Sequence, residues 1–334
     1  MPAPEHMFAS GPTPKAGCEL VETLRARLPD APLTRFAPAP TGSLHLGHVV
    51  NAVYVWGLAR ALGGRVLLRI EDHDRQRARA ESERSMLDDL DWLGFAADVY
   101  PSREYRKGRC DGRQSERDSI YLDALAPLVA AGLVYGCQCS RANQVASVPT
   151  VEPPATHPSE RRYAGTCRDL GIAPGADVGW RLRIDPGVEV FDDALLGRQE
   201  QDPSLQCGDV LLRDRLGNWT YQCVAAIDDV VQGVTLVVRG HDLLSSTGRQ
   251  VRLARLAGRR TPPAFVHHRL IMKSATQKLS KSDGDSGIGD LRSAGWSAAQ
   301  VIGSAAALAG LTPGPEPLTV QDLFGVFLGP GSGG

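Results

Sequence analysis

Two histidines, His45 and His48, lie three residues apart where an apolar segment gives way to a turn and then to a helical pattern. The N–H groups in the first turn of a helix bind anions, and glycines such as Gly42 and Gly47 let a ligand approach the backbone closely. Imidazoles on one face of that turn can donate to charge that develops on a phosphate. The pattern predicts a site for the phosphates of ATP with His45, Gly47 and His48 as contacts, and the alternative is a loop with two surface histidines.

Lysines are concentrated in one short segment. Only five of the 37 basic residues are lysine, and three of these are Lys273, Lys278 and Lys281. Lysine is a flexible point charge, whereas arginine is a planar fork, so lysine can better follow negative charge that moves between phosphate oxygens. The small and acidic residues that follow are typical of a loop that closes over a ligand. The segment 278–282 resembles the KMSKS motif of class I aminoacyl-tRNA synthetases, and this resemblance implies that Lys278 and Lys281 contact ATP and that Lys281 is catalytic. The alternative is a solvated basic loop.

Acidic residues follow the second apolar segment, Val66–Ile70. Carboxylates at the carboxyl end of a parallel strand face the crevice where ligands bind in doubly wound sheets. Glu71, Asp72 and Asp74 are therefore candidates to hold a substrate ammonium group, and the alternative is a solvated turn.

Three cysteines, Cys137, Cys139 and Cys167, cluster in the middle of the chain. Two thiolates two residues apart and a third further on suit tetrahedral Zn²⁺, which needs a fourth ligand. By general chemistry His157 is the ordinary candidate for that ligand and Tyr163 an unusual one. Buried cysteines without a metal are the alternative.

The elements that position these residues alternate between strand and helix. Leu33–Phe36 and Val66–Ile70 have short apolar strand patterns, while 45–62 and 82–93 have helical spacing. This order predicts an α/β fold with a parallel sheet and crossover helices.

Further along the chain, the pattern predicts another helix at 118–131 and strands at 210–212, 221–227 and 234–238. A helix is expected at 248–256, and short helices at 19–27 and around 289–311. We divide the chain into a flexible N-terminal tail (1–31), a first catalytic half (32–135), a zinc-bearing insertion (136–205), a second catalytic half (206–260) and a lysine loop with a short helical C-terminal segment (261–334).

Composition restricts the class of protein. With 42% hydrophobic and 22% charged residues the chain is globular, and its net charge of −1 gives no overall attraction to nucleic acid, so any RNA contact must be local. No apolar run reaches the roughly 20 residues that span a bilayer, and the N-terminus lacks the order of a signal peptide. We expect a cytoplasmic monomer without membrane contact.

The stretch 35–48 fits the pattern RFAPxPTGxLHxGH, and 278–282 reads KLSKS. These motifs resemble the HIGH and KMSKS motifs of class I aminoacyl-tRNA synthetases, and the longer one is similar to the glutamate-specific branch. The resemblance runs from about Thr34 to about Leu311. It implies a Rossmann-like sheet and a ligase that uses ATP, with Mg²⁺, to activate L-glutamate to glutamyl-adenylate.

Because arginine binds both oxygens of a carboxylate, it suits a substrate with two carboxylates. The family segments match here at RFAP, at the acid cluster, at the segment around Tyr221 and at Val-Arg-Gly-His-Asp-Leu. The resemblance implies a glutamate pocket made by Arg35, Phe36, Ala37, Pro38, Ala39, Glu71, Tyr221 and Arg239. Ala39 stands where the family usually has Ser, and His73 where it usually has Thr.

The pattern CxC…YxxxC resembles the zinc site of the glutamyl-Q tRNA(Asp) synthetases and favours Tyr163 over His157. The resemblance thus implies one structural Zn²⁺ held by Cys137, Cys139, Tyr163 and Cys167. The short segment after Ser282 leads us to expect no anticodon-binding domain. The implied function is activation of glutamate without tRNA and transfer to queuosine in the anticodon of tRNA(Asp). The alternatives are a shortened synthetase that charges a tRNA 3′ end and a non-catalytic paralogue.

Overall fold

The computed structural model describes residues 8–11, 15–140, 162–272 and 287–329. His157, Lys278 and Lys281 lie outside these residues. The strands are β1 Phe8–Ser10, β2 Leu33–Phe36, β3 Arg65–Leu68, β4 Val134–Cys137, β5 Gly179–Leu182, β6 Glu189–Asp193, β7 Gly197–Gln201, β8 Val210–Arg213, β9 Leu236–Gly240, β10 Ala264–His268 and β11 Leu270–Met272. The α-helices are α1 Gly17–Arg25, α2 Leu46–Ala61, α3 Ala80–Leu93, α4 Ser102–Arg106, α5 Asp118–Ala130, α6 Pro203–Gln206, α7 Tyr221–Val231, α8 Thr247–Leu256, α9 Ile288–Ser293, α10 Ala298–Ala309 and α11 Leu323–Leu328.

Within the described residues, the main sheet has six strands in the order β3-β2-β9-β10-β6-β7. The strands from β3 to β6 pair in parallel, and β7 is antiparallel to β6. From β2 the chain proceeds to β3 on one side, while β9 lies on the other side, so the crevice between β2 and β9 is a topological switch point. Ligands bind at such points in open α/β sheets. The predicted parallel α/β sheet is confirmed.

Helix α2 connects β2 to β3 and begins directly beside that crevice. Its side chains are apolar on nearly every side because the sheet covers one face and α10 and α11 cover the other. Gly63, with a φ of 65°, follows its C-terminus and lets the chain turn back into β3. In the described part of the chain, no helix has both the length and the apolar character needed to cross a bilayer.

The sequence predicts a flexible tail over residues 1–31 with a short helix at 19–27. The helix is confirmed, but the prediction of a flexible tail is wrong for Gly17–Arg25. These residues form α1, which packs on α11, and Leu20, Val21 and Leu24 are buried in the same core as α2. The three apolar residues lie on one face at helical spacing, so burying that face stabilises the helix.

The insertion also has different boundaries from the predicted 136–205. Strands β4, β5 and β8 form a separate three-stranded antiparallel sheet, whereas β6 and β7, inside the predicted range, belong to the main sheet. The small sheet shares a core with α5 and α7 through residues such as Leu182 and Leu212. Sheet membership depends on partners far away along the chain, which a local pattern does not encode.

The sequence also predicts a strand over 221–227, and this prediction is wrong because these residues lie in helix α7. A short continuous apolar run fits either a buried strand or a buried helix. Here Cys223, Val224 and Ile227 pack into the core beneath the small sheet, and the helix continues through two acidic residues to Val231.

Candidate active site

A cavity of about 930 Å³ lies at the carboxyl edge of the main sheet, and this volume is typical of a small-molecule site. Its walls come from four neighbouring strands: Arg35 from β2, Glu71 after β3, Arg239 from β9 and His268 from β10. The N-terminus of α2 borders it with His45 and neighbouring residues.

Most of the predicted site residues meet in this cavity. Those that line it are Arg35, Ala37, Ala39, His45, Gly47, His48, Glu71, Tyr221 and Arg239. The side chains of Phe36 and Pro38 do not, because successive residues of an extended chain face opposite sides. The Phe36 ring instead packs on Trp56 in the core, with ring centroids 5.3 Å apart. The structure therefore removes the side chains of Phe36 and Pro38 from the predicted glutamate contacts.

Backbone hydrogen bonds select the tautomer of the two histidines. Nδ1 of His45 accepts a hydrogen bond from the Gly47 N–H at 3.1 Å, and Nδ1 of His48 accepts one from the His45 N–H at 3.1 Å. A backbone N–H can only donate, so each neutral imidazole carries its proton on Nε2. Both rings, 4.0 Å apart, thus offer an Nε2–H donor at a helix N-terminus, which is suited to phosphate oxygens.

Gly47 is required for this arrangement. A Cβ at this position would lie 2.9 Å from Cε1 of His45. Any larger residue would therefore displace the imidazole from the first turn of α2.

Arg239 is a buried cation that forms no ion pair with any acid of the described residues. Its Nε donates to Nε2 of His267 at 3.0 Å, one Nη to Gln250 at 2.6 Å and the other to Thr247 at 2.7 Å. A longer contact of 3.4 Å joins Arg239 to the Tyr221 hydroxyl. Burial lowers the pKa of Arg239, and no carboxylate of the described residues lies within 4 Å of its guanidinium. An anionic ligand would balance this charge.

Arg35 lines the same cavity, but it is paired with a carboxylate of the protein. Its Nε lies 3.2 Å from Oδ1 of Asp229, and Arg69 approaches the same oxygen at 2.6 Å. Burial alone would raise the pKa of Asp229, but Arg35 and Arg69 together outweigh burial and hold that pKa below its usual range. The wall beneath the cavity is therefore a fixed network of charges.

Asp228, next to Asp229 on α7, is fully buried. Its carboxylate accepts hydrogen bonds from Arg117 at 2.8 Å, Gln114 at 2.9 Å and Tyr121 at 3.0 Å. Sequence reasoning did not assign a role to either aspartate. The available signal was a pair of adjacent acids inside an otherwise apolar segment, because buried carboxylates occur almost only with partners.

Glu71 is the acidic counterpart of Arg239. Burial raises its pKa, while His73, Arg69 and Arg35 act in the opposite direction. Within the described ranges, no cationic side chain lies within 4 Å of the Glu71 carboxylate. A ligand ammonium group would replace the hydration that this carboxylate has lost.

The predicted metal ligands converge at the edge of the small sheet. The Sγ atoms of Cys137, Cys139 and Cys167 lie within 4.8 Å of one another, with 3.5 Å between those of Cys139 and Cys167. Tyr163 Oη lies 3.5 Å from Sγ of Cys137 and 3.9 Å from that of Cys139. Arg181 donates to Cys137 at 3.3 Å and lies over the Tyr163 ring. The four side chains therefore offer three sulfur donors and one oxygen donor around one point.

The parallel sheet, the cavity at its carboxyl edge and the anion site at α2 are features of an enzyme that activates its substrate with a nucleotide. Residues 33–316 match the family described as tRNA synthetases class I (E and Q), catalytic domain. Because this match covers most of the chain, the chain belongs to that family.

Within the family, several relatives are named glutamyl-Q tRNA(Asp) synthetase. The protein from Symbiobacterium thermophilum is 40% identical over 306 residues, which are 88% of this chain and 91% of that protein. The protein from Rhodobacter capsulatus is 41% identical over 283 residues, 80% of this chain and 98% of that protein. The chain is a member of this group.

A solved structure gives independent support for the fold. Glutamate-tRNA synthetase from Elizabethkingia anophelis superposes with a TM-score of 0.69 at 24% identity, covering 88% of this chain. This chain spans 65% of the length of that structure.

Proposed function

We propose that this chain activates L-glutamate with ATP, without tRNA, and then transfers glutamate to queuosine in the anticodon of tRNA(Asp). One observation carries the substrate assignment: Arg239 and Glu71 line one cavity, and neither has an oppositely charged partner among the described residues. An amino acid brings both a carboxylate and an ammonium group. Arg35 lines the same cavity, where it would contact the second carboxylate of glutamate. The names of the relatives supply the acceptor.

In the first step, a glutamate carboxylate oxygen attacks the α-phosphate of ATP, forming a mixed anhydride and releasing pyrophosphate. The Nε2–H groups of His45 and His48 and the N-terminus of α2 stabilise the charge that develops there. Lys278 and Lys281 follow the charge onto the leaving pyrophosphate, and Mg²⁺ bound to the phosphates would supply further positive charge there. In the second step, a hydroxyl of the queuosine cyclopentene ring attacks the acyl carbon, loses its proton, and AMP leaves. Most of the rate enhancement of this second step comes from positioning the hydroxyl next to the acyl carbon.

We also propose that the cysteine cluster holds one structural Zn²⁺, with Tyr163 as the fourth ligand. A tetrahedral zinc with typical bond lengths places two sulfur ligands about 3.8 Å apart and a sulfur and an oxygen ligand about 3.5 Å apart. The separations of 3.5 Å between Cys139 and Cys167 and of 3.5 Å between Cys137 and Tyr163 fit these values. Bound there, the ion would link β4 to the loop that carries Cys167. A monomeric state and a cytoplasmic location stay predictions.

The acceptor can be tested with tRNA(Asp) in three forms: with queuosine, without queuosine, and with queuosine but lacking the 3′-terminal adenosine. We expect radiolabelled glutamate on the first and third forms only, and on the anticodon fragment after ribonuclease digestion. Label that requires the terminal adenosine would favour the 3′-charging alternative. Absence of glutamate-dependent ATP–pyrophosphate exchange would leave the non-catalytic alternative.

Substitution Lys281→Ala is expected to lower the rate of glutamate-dependent exchange by about 10²–10³-fold, the usual cost of losing one group that stabilises transition-state charge. The circular dichroism spectrum should not change. Lys107→Ala is the matched control, because Lys107 is exposed and paired with Glu104 at 3.1 Å on the surface. Exchange by Lys281→Ala at the wild-type rate would remove Lys281 from the mechanism.

Substitution Cys137→Ser is expected to abolish the binding of about one zinc per chain, because a hydroxyl is a much weaker zinc ligand than a thiolate. Metal content is measured by mass spectrometry after dialysis against a weak chelator. Cys18→Ser on α1 is the control and should keep its zinc. Full zinc occupancy in Cys137→Ser would contradict the site.

A further inference from the structure

Arg239 on β9 is held by a series of hydrogen bonds between buried side chains. The series begins on β6, which lies next to β10 on the side away from β9. Oδ2 of Asp193 lies 2.7 Å from Nδ1 of His267, and Nε2 of His267 lies 3.0 Å from Nε of Arg239. The three side chains are between 0% and 4% exposed. This series of hydrogen bonds thus runs from the interior of the sheet to the cavity wall, across three neighbouring strands.

The chemistry of the three side chains determines which atom donates in each hydrogen bond of this series. The Nε of an arginine always carries a proton and can only donate, so Nε2 of His267 must accept. Burial lowers the pKa of His267 to about 4, so the ring is neutral near pH 7 and its single proton lies on Nδ1. That proton is donated to Asp193. The carboxylate therefore selects the tautomer whose lone pair faces Arg239.

The Asp193 carboxylate can only accept at this position. Its Oδ1 accepts from the N–H groups of Leu195 and Leu196, each at 2.9 Å. Its Oδ2 accepts from the backbone N–H of His267 at 3.0 Å as well as from the ring. Each carboxylate oxygen therefore accepts two hydrogen bonds. If asparagine replaced Asp193, its NH₂ group would face N–H donors in either orientation of the amide.

We propose that Asp193 and His267 are positioning residues that hold the Arg239 guanidinium in the plane needed to bind a carboxylate of the amino-acid substrate. Thr247 and Gln250 hold the two Nη groups from the other side, so His267 is the partner that fixes Nε. The proposal rests on the proposed function, because it assigns to Arg239 the role of binding glutamate.

A positioning role predicts a specific kinetic signature. Arg239 would hold the same carboxylate in the bound substrate and in the transition state, so loss of its orientation raises KM for glutamate and leaves kcat nearly unchanged. The KM for ATP should not change, because the proposed ATP contacts lie on α2 and in the lysine loop. A purely structural role would instead lower the amount of active enzyme and affect both substrates alike.

The first test is Asp193→Asn against Asp192→Asn, measured by ATP–pyrophosphate exchange. Asp192 is the neighbouring residue on β6, about half exposed and 3.7 Å from Arg27, so the chemical change is identical but the location is on the surface. We expect KM for glutamate to rise about 5- to 100-fold in Asp193→Asn, the effect of leaving a buried donor unsatisfied, and less than twofold in Asp192→Asn.

A second pair keeps the test decisive if Asp193→Asn does not fold. Gln at position 267 can present an amide oxygen where Nε2 lies and accept from Arg239, whereas Phe fills the space without an acceptor. We expect His267→Gln to keep a KM for glutamate within about threefold of the wild type and His267→Phe to raise it about 5- to 100-fold. The effect of Asp193→Asn should disappear in the His267→Phe background, because both substitutions interrupt the same series of hydrogen bonds.

The outcomes separate the two proposals. If the wild type shows no glutamate-dependent exchange, the proposed function fails, and with it the glutamate-binding role of Arg239. If the wild type is active but His267→Phe and His267→Gln have the same KM for glutamate, the positioning role is overturned while the proposed function stands. A parallel rise of KM for ATP would also overturn it.

Discussion

Replacing Arg239 by Met is expected to reduce kcat/KM for glutamate roughly 30- to 4,000-fold, because removing one partner of a buried, hydrogen-bonded charge pair costs about 2–5 kcal/mol. Methionine keeps most of the length and the apolar stem of arginine, so the packing against Phe265, which lies beneath the guanidinium, is largely preserved. The measurement is ATP–pyrophosphate exchange at varied glutamate concentration. The effect should be a rise of KM, since the substrate carboxylate loses its partner from the moment of binding.

Arg198→Met is the matched control. Arg198 lies on β7, its side chain is 66% exposed, and it pairs with Glu200 on the surface at 3.1 Å. Exposed ion pairs contribute little to stability, so the kcat/KM of this variant should be indistinguishable from that of the wild type. An Arg239→Met enzyme with kcat/KM within twofold of the wild type would show that glutamate is bound elsewhere.

Replacing Asp229 by Asn is expected to lower the free energy of unfolding by about 3–5 kcal/mol, the usual cost of breaking a buried ion pair by removing one partner. Asp229 pairs with two buried guanidinium groups, those of Arg35 and Arg69, and asparagine keeps the shape but not the charge. The measurement is equilibrium unfolding in urea. Asp88→Asn is the control, because Asp88 is 61% exposed and pairs with Arg106 at 3.0 Å on the surface.

The pH dependence of this difference has a definite sign. The folded pKa of Asp229 is lowered relative to an ordinary aspartate, so the carboxylate contributes stability that is fully present above about pH 3.9. That contribution is lost as the pH falls through the folded pKa. The stability difference between wild type and Asp229→Asn should therefore be constant near neutral pH and shrink in acid. A difference that grows in acid, or one below 1 kcal/mol at neutral pH, would contradict the proposed role of Asp229.

Much of the cavity was predictable because its residues lie in short local patterns. The apolar segment, turn and helix from Leu33 to Ala61 have clear periodicities, and the carboxyl ends of parallel strands must meet at one edge. Predictions of Arg35, His45, Glu71 and Arg239 as neighbours are confirmed by the cavity that they line. The convergence of the three cysteines is confirmed in the same way.

Other predictions failed where local patterns are ambiguous. The apolar run after Tyr221 fits a strand or a buried helix equally well, and it is helical because α5, α8 and the small sheet surround it. The sequence indicates a short helix at 19–27 but not its burial: α1 is stabilised by contact with α11, about 300 residues further along. The boundary of the insertion was misplaced because β6 finds its partner in β10.

The order of residues along this chain was enough to specify the sheet, the helix that begins at the phosphate site and the side chains that face the cavity. It could not show that, among the described residues, an acid pairs with Arg35 but none pairs with Arg239, although both are arginines at the ends of apolar strands. That difference arises because Asp229, 194 positions away from Arg35, packs against it, whereas Arg239 meets only neutral partners among the described residues. Periodicity is set by near neighbours, but the electrostatic state of a buried group is set by whatever folding brings within a few ångströms of it.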